Sequence, residues 1–160
     1  MMKFPYRVLS LLFMMLAFSP VLHAQEEPET FEQEPCSEEE SRLPEEVFSP
    51  ESTEVIFVSG GIGYCESQAM QNASKEYPLE LVFVQKTAIG ESYLANISLQ
   101  ITDMKGVLVL DTITKGPFLL ARIPTGRYTI TANLYDEVKT QHVTIAKKHQ
   151  RLVFVWVRDY

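Results

Sequence analysis

Residues 116–132 read GPFLLARIPTGRYTITA, and the fold is decided there. An apolar run, 118–123 (FLLARI), stops at Pro124-Thr125-Gly126. Beyond it, residues 127–134 (RYTITANL) alternate, with Tyr128, Ile130, Ala132 and Leu134 on one face. A period of two belongs to a β-strand with one buried side. Pro124 presets φ for the turn, and Gly126 is expected to supply a positive φ. Tyr128 is placed to bury its ring while its hydroxyl reaches a backbone partner, as in the tyrosine corners of β-sandwiches. This is an architectural device.

Strand-like runs continue on both sides of it. Asp136-Glu137 turns the chain into 138–146 (VKTQHVTIA), and a basic Lys147-Lys148-His149 turn leads to 151–157 (RLVFVWV), apolar on both faces and carrying the only Trp. Towards the N-terminus lie 107–112 (VLVLDT) and 95–103 (ANISLQITD), the latter alternating strictly with Ile97, Leu99 and Ile101 inward. Residues 79–86 (LELVFVQK) are nearly continuous in apolar character, which suits a central strand. The first run, 55–58 (VIFV), ends at Ser59-Gly60-Gly61-Ile62-Gly63. Residues 64–76 then carry the one helical pattern, with Cys65, Ala69, Ala73 and Tyr77, and Met70 beside them, on a narrow apolar face. Glu66 complements the helix dipole in its first turn and Pro78 stops it. The expectation is a mainly β domain of about seven to eight strands with one short N-terminal helix, formed by residues 53–160.

The stretch 116–132 resembles the motif of carboxypeptidase regulatory-like domains, in which an apolar strand ends in a Pro-x-Gly turn followed by Tyr and an alternating strand. The likeness extends through VTIAKKHQRLVFVW at 143–156, and small exported bacterial members look similar at SGGIG (59–63) with a short helix ahead of the sandwich. It spans roughly residues 55–157. The resemblance implies a transthyretin-like (prealbumin-like) antiparallel β-sandwich. It also implies a non-catalytic companion or stand-alone protein, since this motif specifies fold more than function.

The residues ahead of the domain divide in two. Lys3 and Arg7 precede an uncharged apolar run, 8–18 (VLSLLFMMLAF), which Ser19-Pro20 breaks ahead of Ala24. That order is a cleavable signal peptide, 1–24, and the run is well short of the roughly 20 residues that span a bilayer. No stable membrane anchor is expected after cleavage, and the product is periplasmic or secreted. Residues 25–52 hold eleven Glu against the single Arg42, with four of the nine prolines and no apolar periodicity. A solvated, disordered acidic tether is expected. The overall charge of −7 therefore averages a strongly acidic segment with a domain that is close to neutral.

Cys36 in the tether and Cys65 in the domain are the only cysteines. In an oxidising compartment they form a candidate disulfide, the alternative being a free Cys36 with Cys65 packed in the helix. They are not a C-x-x-C redox pair.

The chemistry-bearing residues give no catalytic constellation. His142 shares a strand face with Thr140 and Thr144, and His149 sits in the basic turn. A metal site needs three or four convergent ligands, so none is expected, nor any other cofactor. Ser59 precedes Gly60, but the G-x-S-x-G elbow is absent. Gly60, Gly61 and Gly63 ahead of a helix are a candidate anion nest, although neither phosphate-loop spacing is met. Nucleic acid is excluded by the acidic balance. Two alternatives remain: a small transthyretin-like hydrolase, whose His- and Arg-bearing signature is missing here, and a small outer-membrane β-barrel, whose spanning strands are longer than these runs. The reading is a non-enzymatic exported module whose partner is an envelope protein or a glycan. An uncovered apolar edge would favour protein, and exposed aromatics would favour glycan.

Overall fold

The computed structural model describes residues 35–158, all within the unit Pro35–Tyr160. The signal-peptide reading of residues 1–24 and the first part of the acidic segment, 25–34, lie outside the described residues.

The strands are β1 (Val47–Ser49), β2 (Ser52–Gly60), β3 (Leu79–Thr87), β4 (Gly90–Tyr93), β5 (Ser98–Asp103), β6 (Leu108–Ile113), β7 (Phe118–Arg122), β8 (Gly126–Leu134), β9 (Glu137–Ile145) and β10 (Gln150–Val157). Between β2 and β3 runs the helix α1 (Tyr64–Ala73), extended by a 3₁₀ turn at Ser74–Glu76. The strands form two open sheets. The first has the order β1-β2-β7-β3-β10 with β4 added to β3, and the second the order β6-β5-β8-β9. Among the described residues each sheet keeps two edges, whereas the barrel alternative needs its first and last strands paired.

The mainly β reading and the sandwich-like arrangement are therefore present, with three differences. First, the sheets are not wholly antiparallel, because β10 runs parallel to β3 from Gln150↔Leu79 to Val157↔Lys86. Both strands are near-continuous apolar runs, but only β3 is covered on two sides, while β10 leaves Arg151, Val155 and Val157 exposed. Second, β1 and β4 raise the strand number above seven to eight. All four residues of β4 are exposed and show no alternation. Third, part of the expected tether is structured, since β1 pairs with β2 through Val47↔Phe57 and Phe48↔Ile56. The surrounding glutamates hide a Val-Phe pair too short to read as a strand.

The main core lies between the sheets. Leu81, Phe83, Phe154 and Trp156 of the first sheet meet Leu99, Ile101, Ile130 and Ala132 of the second, all fully buried. A smaller core lies on the other face of the first sheet, where Met70, Ala73 and Tyr77 cover Val58, Val82, Phe118 and Leu120. This explains β3. Its Leu79, Leu81 and Phe83 face the second sheet while Val82 and Val84 face the helical layer. The buried helix face keeps Met70, Ala73 and Tyr77 as expected but is rotated at its start, where Ser67 points inward and Cys65 and Ala69 are only half-buried. Ser67 is small enough for this contact, and its hydroxyl accepts a bond from Gln71 Nε2 at 3.0 Å.

Candidate functional site

The turn motif forms a tyrosine corner. Tyr128 is buried, and its hydroxyl donates to the Pro124 carbonyl at 2.9 Å. Gly126 does not fulfil its expected role, since it is absent from the glycines with positive φ. Its missing Cβ matters for space instead. A Cβ there would lie 3.3 Å from both Cε2 and the hydroxyl oxygen of Tyr128, so glycine lets the ring lie down against the turn.

Cys36 and Cys65 are joined in a disulfide. The bond ties the strap ahead of β1 to the first turn of α1. Next to it, Gly61 and Gly63 have φ of 98° and 79°, the left-handed conformations that favour glycine. The candidate nest is already filled from within the chain. Glu66 reaches back so that its Oε1 accepts the Gly61 amide at 2.6 Å. A carboxylate in that position both takes the donor and repels an incoming anion, so these glycines shape a strand-to-helix turn. Ser59 is likewise engaged, its Oγ accepting the Lys115 amide at 3.0 Å.

His142 and His149 lie apart. His142 is exposed on the outer face of the second sheet, with Nδ1 3.0 Å from Thr129 Oγ1. His149 belongs to a polar network that sequence reasoning missed. Glu80 is buried on the helix side of β3, with His149 Nε2 at 3.1 Å from its Oε2 and Arg151 Nε at 3.2 Å from its Oε1. His149 Nδ1 faces the Tyr77 carbonyl at 2.8 Å. Both ring nitrogens are thus occupied, and the network works as a clamp that fixes the start of β10 against β3. A lone acid inside LELVFV, far along the chain from a basic KKHQR run, was the available signal.

Beside it, Tyr77 donates its hydroxyl to Glu46, which also pairs with Arg122, while the Arg122 guanidinium lies 4.2 Å from the Tyr77 ring centroid. Burial, helped by the bond donated to Glu46, pushes the Tyr77 hydroxyl up to about 12. Tyr77 first and Arg122 second hold the Glu46 carboxyl below its usual value. A tyrosine whose pKa is raised by folding contributes stability that is full below its unfolded value of about 10. That stability is lost as pH rises through about 12. Tyr77→Phe is expected to reduce the alkaline loss of stability in this window, read from urea midpoints at successive pH values. An unchanged loss would assign it to other groups.

The remaining feature is an unpaired edge. Among the described residues β10 ends the first sheet, with β3 on one side and no strand on the other. Gln150 N donates to Pro78 O and Arg158 N to Lys86 O, so the even-numbered backbone groups of β10 point at β3. Alternation turns the N–H and C=O groups of Arg151, Val153, Val155 and Val157 to the open side. There Gln141 Nε2 donates to Val153 O at 2.8 Å, a side-chain amide standing where a strand's N–H would be. The side chains of these residues lie on the sheet's outer face, where Val155 is 37% and Val157 58% exposed. Val153, with Val82 and Val84, floors a groove between β10 and β4 that is rimmed by Ser92, Tyr93, Arg151 and Glu91, the last paired with Lys86 at 3.6 Å. On the far side of Tyr93, Ile62 and Tyr64 line a second apolar groove.

Among the described residues no group of three or more His, Cys, Asp or Glu side chains could hold a metal ion. Comparison with protein-family models finds no match to this chain. Comparison with curated proteins finds none either.

Proposed function

We propose that this chain is an exported, non-enzymatic β-sandwich module of transthyretin-like type, acting in the bacterial envelope as an accessory that binds another protein through the open edge of β10. The transthyretin-like assignment draws on the tyrosine corner at Pro124–Tyr128 and on a chain that crosses between the sheets at β4–β5, β6–β7, β7–β8 and β9–β10. The resemblance of residues 55–157 to carboxypeptidase regulatory-like domains supports the same assignment. Export is supported by the signal-like order of residues 1–24 and by the Cys36–Cys65 bond, which suits an oxidising compartment.

The observation that carries the binding reading is the uncovered edge. Native sheets usually blunt an edge with Lys, Pro, a bulge or very short length. β10 instead runs for eight residues and presents three valines on its outer face, with the Gln141 amide as its one cover among the described residues. Such an edge accepts an extended segment by strand addition, in which main-chain bonds supply affinity and alternate side chains supply selectivity. A glycan reading has one observation in its favour, since Tyr64, Tyr93 and Tyr135 are more than half exposed. Yet Tyr93 rests against Phe118, with ring centroids 5.2 Å apart and planes inclined at 57°, which reduces its use as a stacking platform.

The test is site-specific photocrosslinking in the envelope of the producing cell. A photoreactive residue at Val155 is expected to give adducts of defined protein mass, and one at Thr140, on the other sheet, none. Identical adducts from both positions, or adducts from Thr140 alone, would remove the edge as the binding site.

A further inference from the structure

The two ends of the β10 edge differ in charge. At its far end Arg158 and Lys139 both pair with Glu137, at 3.0 Å and 2.9 Å. At its start Lys147 and Lys148 are exposed and form no ion pair among the described residues. Arg151 follows, its side chain 52% exposed. Glu80 bonds only the Nε of this guanidinium, a group with four further N–H donors arranged as a fork that matches a carboxylate. Glu80 itself is buried and bonded to both His149 and Arg151, so it neither reaches out nor competes for a partner. The clamp described above thus has a second consequence. It holds Arg151 by one edge at the mouth of the valine-floored groove.

Resting on the proposed edge-binding function, we infer that the partner is an extended polypeptide segment that pairs antiparallel with β10 and places an acidic side chain at its own C-terminal end, against Arg151. Antiparallel pairing is the more stable and more frequent arrangement. In that direction the end of the added strand meets the start of β10, where the unpaired positive charge is concentrated. Alternate side chains of the segment then lie beside Val153, Val155 and Val157, which calls for apolar or β-branched residues at a spacing of two. The segment's edge-facing N–H group opposite Val153 replaces the Gln141 amide, and Gln141 swings aside. Selectivity comes from the paired requirement for apolar alternation and a terminal acid.

The experiment uses the full exported chain with its disulfide intact and three blocked eight-residue peptides of alternating valine and threonine. One ends in two glutamates at its C-terminus, one carries them at its N-terminus, and one has two lysines in place of the C-terminal glutamates. Amide chemical shifts and hydrogen exchange at positions 151, 153, 155 and 157 report strand addition. The C-terminal glutamate peptide is expected to protect these amides and to bind at least tenfold tighter than the lysine peptide, with the N-terminal glutamate peptide between them. Arg151→Gln is expected to erase most of that preference. The double variant Lys147→Gln, Lys148→Gln, which leaves the Glu80 clamp intact, is expected to weaken it partly. Equal binding of the glutamate and lysine peptides at β10, or a preference unmoved by both variants, would overturn the acidic-partner inference and leave edge binding standing. Failure of all three peptides to protect these amides would overturn both.

Discussion

Tyr128→Ala is expected to destabilise the domain by about 3–5 kcal/mol, the range for removing a well-packed aromatic from a core. The residue is 8% exposed and belongs to the main core with Ile130, Ile101 and Val143. Its hydroxyl is tied to the Pro124 carbonyl, so truncation also leaves that acceptor without its partner. The two contributions separate experimentally. Tyr128→Phe keeps the ring and loses only the hydrogen bond, for which about 0.5–1.5 kcal/mol is expected. Both values follow from urea unfolding with m held constant. A loss below about 1 kcal/mol for the alanine variant would mean that the ring does not anchor the corner. The corner matters beyond its own energy because β7 lies in the first sheet and β8 in the second. The chain changes sheet at this turn, and the ring of Tyr128 fixes it against the inner face.

What the sequence disclosed follows the same physical line. β5 and β8 were legible because each has one face in the core and one in solvent, so Leu99 and Ile101, with Ile97 just ahead of the strand, or Tyr128, Ile130 and Ala132, recur at a period of two. β3 was legible as central because it is apolar on both faces, which the helical layer on its outer side explains. That same double covering left its pairing direction open, and the parallel partnership with β10 had no local sequence mark. β4 was silent, as an exposed four-residue strand has no burial pattern to report. The role of Gly126 was misjudged because a close approach by a ring and a positive φ both select glycine, and only the folded backbone distinguishes them. The clamp of Glu80, His149 and Arg151 joins residues about 70 positions apart in sequence, a contact set by strand pairing. The open edge was hidden for a related reason. The apolar run RLVFVWV marks a strand, but which side lacks a neighbour depends on every other strand in the sheet.

Removing the disulfide by Cys36→Ser with Cys65→Ser is expected to cost about 3–4 kcal/mol, from the loop-closure entropy of a cross-link between residues 29 positions apart. For a domain of this size that corresponds to a fall in Tm of roughly 10–20 °C. The bond encloses β1 and β2, so its loss also frees the strap that runs from Cys36 to the Glu46 contacts with Tyr77 and Arg122. Hydrogen exchange distinguishes the two levels. Amides of β1 should exchange faster in the double variant even under conditions where those of β3 and β5 still report global unfolding. A loss under about 1 kcal/mol with β1 protection unchanged would show that the strap holds itself in place by β1–β2 pairing and the Glu46 bonds. A loss of the expected size would be a large share of the 5–15 kcal/mol that a domain of this kind usually has. Full stability would then be reached only where the thiols oxidise. That outcome would bear directly on the proposed place of action, because a β10 edge kept apart from cytosolic chains until the fold is complete has less opportunity to pair with the wrong strand.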